Sequence, residues 1–374
     1  MRHTSRNTTG ILLVTNPTNI RYLTGFVGVD TRDAYLLLTK NQIYLFTNSL
    51  YREQAKQLKK SSWFMVHGSS LHTIEISRDN PFTKRLANIL EQENIKKLGF
   101  EEADVTVAEH NKLKKELKGV TFVPTKNRIE EIRMIKRTDE IEKIRRAARI
   151  TDECFTYILT RLRIGVTESE IAWEIETFFR NNGAQSAFSP IVAFGKNTSQ
   201  PHYMPFDSAQ GKQSRRLQKN DVALFDFGAR VNGYCADMTR VVFVGKPKSE
   251  WINAYETVLA AQQKALDYLA SCSRPGLEFT ASGAMADKIA RKSIEKSGFP
   301  PYPHSLGHAV GLEIHEAPRL TIKKNAMLKP GMVITIEPGV YIEGAYGIRI
   351  EDLVLLKKND IEIVSKSKKV LIIL

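Results

Sequence analysis

Cysteine and long apolar runs are scarce in this sequence. Its 374 residues include only three cysteines, Cys154, Cys235 and Cys272, which cannot all pair and lack the spacing of a zinc knuckle. This usage is typical of a reducing compartment. The longest purely apolar runs, such as residues 11–14, are far too short to span a bilayer. No apolar segment of signal-peptide length follows residues 1–10, so we expect a cytoplasmic protein without a membrane segment.

Length and charge set further limits. A chain of 374 residues exceeds a typical single core and predicts two domains. The net charge of +14 would suit a nucleic-acid partner. However, the basic residues are scattered and mixed with glutamates at helical spacing, as around Lys112, Lys114 and Lys115. Solvated helix faces account for this pattern, so we do not expect nucleic-acid binding.

The pattern of the chain changes near residue 126. Residues 1–125 alternate short apolar strands with helices, which predicts an α/β domain in which no catalytic residues concentrate. Residues 126–137 are polar and charged and predict a linker. Over residues 138–374 two helix pairs, one ending at Gly183 and one at Gly298, each lead toward a segment that contains histidine. This duplication predicts a catalytic domain with pseudo-twofold symmetry.

Two aspartates lie in a predicted hairpin. Asn232-Gly233 is a strong signal for a two-residue turn, and it joins two strand-like segments. If the turn is clean, Asp226 faces Thr239, and Asp226 and Asp237 share one face, roughly 7–8 Å apart. An acid in an apolar strand is costly without a partner, and two such carboxylates repel unless a proton or a cation lies between them. The alternative is that one of them caps a turn.

Later strands supply further acids. A short apolar strand ends in Glu337, which leaves a carboxylate where the chain turns. Residues Tyr346–Leu356 predict one continuous strand, in which Arg349 and Glu351 share a face because side chains repeat every second residue. Asp352 points the other way, and we expect it to be structural.

Histidines follow in a glycine-containing run. A lone histidine is more often structural than a ligand, but His308 and His315 lie seven residues apart and are flanked by glycines that permit close backbone approach. One imidazole with four carboxylates makes a hard, oxygen-rich site. Such a site favours manganese, with cobalt or zinc as alternatives, over a structural zinc bound by thiolates.

These segments together form the pattern of a known family. They resemble the creatinase/methionine aminopeptidase superfamily with the pita-bread fold, and within it the aminopeptidase P and prolidase branch. The run from His304 to Glu316 matches that branch's signature, and Asn19 to Phe26 resembles a less specific motif of the creatinase-type amino-terminal domain. The remaining motifs stand in the family's order: Asp226-Phe227-Gly228, Ala236-Asp237-Met238-Thr239-Arg240, Glu337-Pro338-Gly339 and Arg349-Ile350-Glu351-Asp352.

The resemblance implies a fold and a metal site. The fold would be of the α/β (α+β) class, with a creatinase-type domain over residues 1–125 and a pita-bread metallopeptidase domain over residues 138–374. Two divalent metal ions would be held by Asp226, Asp237, His308, Glu337 and Glu351. Asp237 and Glu351 would bridge the two ions, and a hydroxide between the ions would be the nucleophile.

The resemblance also implies roles around the metals. Glu337 would relay a proton to the leaving proline nitrogen. His202 and His315 would contact the substrate and stabilise the tetrahedral intermediate. Arg349 would orient the acidic cluster from behind. Ala309 stands where many relatives have glycine, a variation that the signature tolerates.

The resemblance implies a metal-dependent aminopeptidase that cleaves the bond between a peptide's first residue and a proline in second position. It also implies a homodimer. One alternative is a methionine aminopeptidase, which usually lacks the amino-terminal domain. A second is creatinase, which lacks the metal ligands. A third is a non-catalytic partner of histones or nucleic acid, and such relatives typically lack the ligands as well.

The remaining alternative is a strict Xaa-Pro dipeptidase, a prolidase. Such an enzyme must recognise the free carboxylate after proline, which an arginine binds through two parallel hydrogen bonds. Arg319, four residues after His315, is a candidate for that contact, although it would equally suit a surface arginine that caps the loop. We therefore expect an aminopeptidase that accepts tripeptides and longer chains, with some dipeptide cleavage.

Overall fold

A computed structural model gives the fold of the chain. It describes residues 10–28, 30, 32–58, 70–204, 214–272 and 279–374. Residues 1–9, where a targeting segment would begin, lie outside the described residues. The chain divides into two units, the first ending at Ile132 and the second beginning at Arg133. That boundary falls within residues 126–137, the segment predicted as a linker, and a short helix, α5 (Arg128–Arg133), occupies part of it.

The first unit is built on one mixed sheet. Its strands are β1 (Leu12–Val14), β2 (Ala34–Leu38), β3 (Gln42–Thr47), β4 (Ser70–Glu75), β5 (Lys97–Glu101) and β6 (Thr121–Thr125). They lie in the order β4-β3-β2-β1-β5-β6. Strand β2 is antiparallel to β1 and β3, whereas β4, β5 and β6 each run parallel to a neighbour. The helices are α1 (Pro17–Thr24), α2 (Arg52–Leu58), α3 (Phe82–Gln92) and α4 (Val107–Glu116).

Local sequence signals explain these elements. The Asn16 side chain caps α1 by accepting from the Asn19 amide, and Pro17 takes the first helical position, where no amide hydrogen is needed. In α3, residues Leu86, Ile89 and Leu90 recur at helical spacing and are buried in the core of this unit. The first unit is thus the α/β domain that the alternating pattern predicts.

The second unit contains four long helices in its described part and several small sheets. The helices are α6 (Thr138–Leu159), α7 (Glu168–Asn181), α8 (Ser249–Ser271) and α9 (Gly283–Lys296). The strands of its first half are β7 (Gln185–Ser186), β8 (Ile191–Phe194), β9 (Asp221–Phe227), β10 (Ala229–Val231), β11 (Tyr234–Cys235) and β12 (Met238–Val244). Those of its second half are β13 (Gly307–Ala309), β14 (Glu316–Leu320), β15 (Val333–Ile336), β16 (Gly339–Ile342), β17 (Tyr346–Arg349), β18 (Asp352–Leu356) and β19 (Ile361–Ile363).

Two long hairpins organise these strands, and each passes from one sheet into another. In the first hairpin, β9 and β12 pair beside β8, and β10 and β11 pair beside β7. In the second, β15 and β18 lie in the sheet β14-β13-β15-β18-β19, whereas β16 and β17 form a separate pair. Helix α8 packs against both parts of the second hairpin, with α9 beside it. The two halves therefore repeat one arrangement of helix pair and bent hairpin.

The register of the first hairpin is the one predicted from its turn. Val231 pairs with Tyr234 and Asp226 pairs with Thr239, so the Asn232-Gly233 turn is clean and the prediction is confirmed. The bend between the sheets requires Gly228. A Cβ atom at Gly228 would lie 1.8 Å from the carbonyl oxygen of Ala236 on the opposite strand.

The second hairpin corrects one prediction. The prediction of one continuous strand over Tyr346–Leu356 was wrong, because β17 ends at Arg349 and β18 begins at Asp352 in a different sheet. Pro338 lies opposite Ile350 at the end of this pair of strands. Proline has no N–H to donate to the opposite strand, which explains part of the break. Glu351 therefore lies in the short link between two strands and not inside one.

Of the helices in the described part of the chain, none combines the length and apolar character that crossing a bilayer requires.

Gly228→Ala tests the bent hairpin. We expect the free energy of unfolding to fall by about 3 kcal/mol or more, because the new methyl group would meet rigid backbone and force the strands apart. Urea unfolding followed by circular dichroism measures this change. Gly10→Ala is the control, since a Cβ there would lie 3.8 Å from the Lys40 side chain, and its stability should match that of the wild type. Equal stability of the two variants would contradict the requirement for glycine at the bend.

Candidate active site

One cavity of about 450 Å³ collects all nine residues that the sequence singled out for chemistry. Its size is within the range of small-molecule sites. The predicted residues that line it are Asp226, Asp237, His308, Glu337, Glu351, His202, His315, Arg319 and Arg349. The other lining residues are Phe188, Ser189, Ile191, Pro201, Met204, His304, Ser305 and Ile314.

The four acids lie where the two hairpins change sheets. Asp226 is the penultimate residue of β9, and Asp237 directly precedes β12. Glu337 directly follows β15, and Glu351 directly precedes β18. A strand that leaves its sheet no longer has a neighbour on that side, so its side chains can point into the space that opens there. The bends therefore bring four carboxylates from distant parts of the chain into one cavity.

His308 completes this cluster from β13. Its backbone N–H donates to Thr335 Oγ1 (3.0 Å), and its Nδ1 lies 3.2 Å from the carbonyl oxygen of Ala309. A carbonyl oxygen only accepts, so Nδ1 carries the hydrogen and Nε2 keeps its lone pair. That lone pair faces Asp237 Oδ2 at 3.6 Å and Glu337 Oε1 at 3.4 Å. Burial, with the nearby His315, lowers the pKa of His308 to about 3, so the imidazole is neutral at pH 7.

The carboxylates are crowded and poorly satisfied. Burial, followed by the charges of Glu351 and Asp226, raises the pKa of Asp237 well above its usual range. Burial and neighbouring carboxylates act in the same direction on Glu351, and the pKa of Glu337 rises to about 7. Among the residues that the structure describes, one oxygen each of Asp226, Asp237 and Glu351 is buried without a hydrogen-bond partner. Buried polar atoms rarely stay unpaired, so these oxygens point to a missing positive partner.

A divalent cation fits this donor set. One ligand atom each from Asp237, His308 and Glu351 lies within 4.8 Å of the other two, and all three residues are buried. Ligand atoms about 2.1 Å from one ion lie roughly 3 to 3.4 Å apart, which is close to the separations around His308 Nε2. Carboxylates with a neutral imidazole suit manganese, cobalt or zinc, and thiolates are absent from the residues that line the described cavity.

Arg349 supplies the positive charge that the chain itself brings to the cluster. Its guanidinium donates to Asp226 Oδ2, to Thr239 Oγ1 (3.0 Å) and to the hydroxyl of Tyr341 (2.8 Å). Thr239 in turn donates to Glu351 Oε2 (2.6 Å), and the Tyr341 hydroxyl lies 3.0 Å from His304 Nε2. This network holds Asp226 and Glu351 in one orientation each.

Several residues of this network were not predicted. Thr239 and Thr335 each donate a hydrogen bond to an acid. Thr239 Oγ1 donates to Glu351 Oε2 at 2.6 Å, and Thr335 Oγ1 donates to Glu337 Oε1 at 3.0 Å. Their signal was available, since each is a polar residue in an apolar strand and lies two positions from an acid on the same face. Tyr341 gave no such signal, because its role depends on where Arg349 lies in space.

Three residues that line the cavity, His202, His315 and Arg319, are exposed to solvent. His315 packs edge-on against His308, with ring centroids 4.4 Å apart. Within the described part of the chain no carboxylate lies within ion-pair distance of Arg319, so its guanidinium is available within the cavity.

A buried ion cluster anchors the loop that carries His315. The carboxylate of Glu316, the next residue, binds Arg133 Nη2 (2.5 Å) and Lys136 Nζ (3.2 Å), and all three side chains are nearly inaccessible. The Glu313 amide also donates to Glu316 Oε1 at 3.2 Å. The loop is thereby tied to the segment that begins the second unit.

Comparison with known families gives matches to both units. Residues 142–358 match the model described as metallopeptidase family M24. Residues 3–135 match the model described as the creatinase/prolidase N-terminal domain.

Individual relatives match along nearly the whole chain. An uncharacterized peptidase of Bacillus subtilis is 34% identical over 365 residues, covering 97% of this chain and 95% of the relative. The Xaa-Pro dipeptidase from Bacillus anthracis superposes with a TM-score of 0.84 at 33% identity, over 98% of this chain and 95% of that one. The X-Pro aminopeptidase from Thermotoga maritima also gives a TM-score of 0.84, at 30% identity and 97% coverage of both chains.

Asp237→Asn tests the unbalanced charge of the cluster. The folded protein raises the pKa of Asp237 well above that of an ordinary aspartate. Ionisation of this carboxylate at neutral pH therefore destabilises the metal-free folded state. Asparagine keeps the shape without the charge, so we expect a higher unfolding temperature than the wild type in the presence of a chelator. With manganese the order should reverse, because the wild type gains more from binding.

Asp352→Asn is the matched control for this prediction. Asp352 is buried but paired with Arg240 (2.7 Å) and Lys369 (2.5 Å), so removing its charge should lower the unfolding temperature, at a cost of about 3–5 kcal/mol. Differential scanning calorimetry distinguishes the two signs. A chelator-treated Asp237→Asn protein less stable than the wild type would contradict the account of the cluster.

Proposed function

The chain belongs to metallopeptidase family M24, and on that basis we propose that it is an aminopeptidase that removes the residue preceding a proline from the amino terminus of peptides. As a member of this family it is a peptidase. The predicted fold class, a creatinase-type α/β domain followed by a pita-bread domain, is confirmed. The observation that carries the proposal is the convergence of Asp237, His308 and Glu351 on one buried point beside two further acids.

Four carboxylates and one imidazole would hold two divalent cations, and we propose that these cations are Mn²⁺. When bound, the cations would polarise the scissile carbonyl and lower the pKa of water toward neutrality. The residues proposed as ligands are Asp226, Asp237, His308, Glu337 and Glu351. Their unpaired buried oxygens and the neutral His308 support this assignment.

The chain's own groups would carry out the remaining steps. Glu337, at the edge of the cluster and hydrogen-bonded to Thr335, would pass a proton to the proline nitrogen as the peptide bond breaks. His202 and His315, on the exposed side of the cavity, would donate hydrogen bonds to the carbonyl oxygen as charge develops on it. Arg349 would keep Asp226 oriented throughout.

The exposed side of the cavity supports an aminopeptidase. A peptide longer than two residues must continue past proline toward solvent, and His202, His315 and Arg319 lie on a face that solvent reaches. The solved relatives carry both activities in their descriptions, a dipeptidase from Bacillus anthracis and an aminopeptidase from Thermotoga maritima.

A strict dipeptidase is the second candidate, and Arg319 is the observation that favours it. Arg319 lines the cavity, is exposed and forms no ion pair with an acid of the described residues. An arginine so placed could receive the carboxylate of a dipeptide that ends in proline.

The metal requirement tests the proposed function. Chelation should abolish hydrolysis of Xaa-Pro peptides, and manganese should restore it best. Asp237→Ala and Glu351→Ala should remove activity and bound metal together, because each is proposed to contact both ions. His202→Ala should keep its metal while turnover falls by a factor of about 10²–10³, the scale for one lost transition-state hydrogen bond. Full activity in exhaustively metal-free protein would overturn the proposal, and metal loss in the His202 variant would overturn the role of that residue.

A peptide panel decides between aminopeptidase and dipeptidase. We expect the wild type to cleave Xaa-Pro-Xaa tripeptides and longer chains, with some cleavage of Xaa-Pro. Arg319→Ala should change the KM for dipeptides by less than about tenfold, because the loss of a hydrogen bond to the substrate carboxylate would cost more than that. Arg180→Ala, at an exposed arginine near the end of α7, is the matched control. Cleavage of dipeptides alone, lost selectively in Arg319→Ala, would make the protein a prolidase.

A further inference from the structure

Gln262 is a fully buried polar residue on the apolar face of helix α8. It is inaccessible to solvent, and its neighbours on that face, including Ala261, Ala265 and Leu266, belong to the main core of the second unit. Burying an amide is costly unless each of its groups finds a partner. The position of Gln262 in the core therefore requires specific contacts.

Gln262 makes those contacts with the backbone carbonyl groups that directly precede Glu337 and Glu351. Gln262 Nε2 donates to the carbonyl oxygen of Ile336 at 2.9 Å and to that of Ile350 at 3.2 Å. Ile336 directly precedes Glu337, and Ile350 directly precedes Glu351. Both carbonyls lie where the second hairpin leaves one sheet for another, so one side-chain amide joins the two strands at their break.

Lys369 settles the orientation of this amide. Its Nζ lies 2.9 Å from Gln262 Oε1. An ammonium group has donors only, so the oxygen of Gln262 must face Lys369 and both N–H groups must face the two carbonyls. Lys369 Nζ also binds Asp352 Oδ2 at 2.5 Å, which keeps the ammonium in place.

A second connection reaches the same backbone from the same carboxyl-terminal segment. Arg240 is buried and donates to the carbonyl oxygen of Glu351 (2.5 Å) and to that of Ser367 (2.9 Å). It also binds Asp352 Oδ1 at 2.7 Å. The segment containing Ser367 and Lys369 is thus bonded to the surroundings of Glu351 by two routes.

We propose that Gln262, oriented by Lys369, is a positioning residue that holds the backbone of Glu337 and Glu351 in the geometry needed to bind divalent metal. The proposal rests on the metal site of the proposed function and adds two residues that lie outside the cavity. Residues behind a metal ligand commonly govern its affinity, because they fix the direction in which the ligand points.

The direct test is the affinity of metal-free protein for Mn²⁺, measured by isothermal titration calorimetry without any substrate. Gln262→Glu keeps the shape of the side chain but replaces the donating NH₂ by an oxygen that repels both carbonyls. We expect its affinity for Mn²⁺ to fall by about 10- to 100-fold. Gln263→Glu is the matched control, because Gln263 is the next residue of α8, is exposed and hydrogen-bonds Asp267 on the helix surface. The affinity of this variant should stay within about twofold of the wild type.

A second, less disruptive pair of variants tests the same role if Gln262→Glu does not fold. Lys369→Met removes the group that orients the amide, and Lys369 is only partly buried, so we expect a folded protein with about tenfold weaker Mn²⁺ binding. Lys368→Met, at the exposed preceding residue, should bind as the wild type does. Circular dichroism confirms folding for each variant.

The outcomes separate this inference from the proposed function. Tight Mn²⁺ binding by the wild type together with unchanged binding by folded Gln262→Glu or Lys369→Met would overturn the positioning role alone. A wild-type protein that binds no Mn²⁺ would overturn the proposed metal site and the positioning role together. Weaker binding in both test variants and wild-type binding in both controls would establish the role.

Discussion

The repulsion among four carboxylates in one buried cavity is the constraint on which the second unit depends. Burial and the neighbouring carboxylates raise the pKa values of Asp237, Glu337 and Glu351. Among the described residues, the guanidinium of Arg349 and the hydroxyl groups of Thr239 and Thr335 hydrogen-bond these carboxylates, and one oxygen each of Asp226, Asp237 and Glu351 remains unpaired. A fold that keeps such a cluster has a deficit of positive charge built into its core, and divalent cations would remove that deficit.

The bent hairpins explain how a protein can place acids so close together at all. A regular sheet would separate neighbouring side chains evenly and bury the acids in an apolar layer. By passing from one sheet to another, each hairpin opens a gap in its ladder, and the acids occupy the edges of that gap. Gly228 permits the close approach of the strands at the first bend, and Gln262 hydrogen-bonds two backbone carbonyl groups at the second.

The cavity has two sides with different physical character. The proposed ligands lie on buried strands and links whose backbone is held by Thr335, Arg240 and Gln262. The proposed substrate contacts, His202, His315 and Arg319, lie on exposed segments. The Glu316 ion cluster limits the freedom of the loop that carries His315, since removing one partner of a buried pair leaves an uncompensated charge. Fixed acidic side chains beside accessible ones suit a peptidase.

Local rules in the sequence were enough to set the register of the first hairpin. The Asn232-Gly233 turn and the alternation of strand side chains put Asp226 opposite Thr239, and the motifs resembling a known family named every residue that lines the acidic part of the cavity. The break between β17 and β18 was not predictable in this way, because it depends on which sheet each half of the strand joins. The contacts of Gln262 and Tyr341 were equally hidden, since their partners lie far away along the chain. Turn chemistry and side-chain alternation act over a few residues and can be read from the sequence, whereas the pairing of buried charges and carbonyls is decided by packing between distant segments.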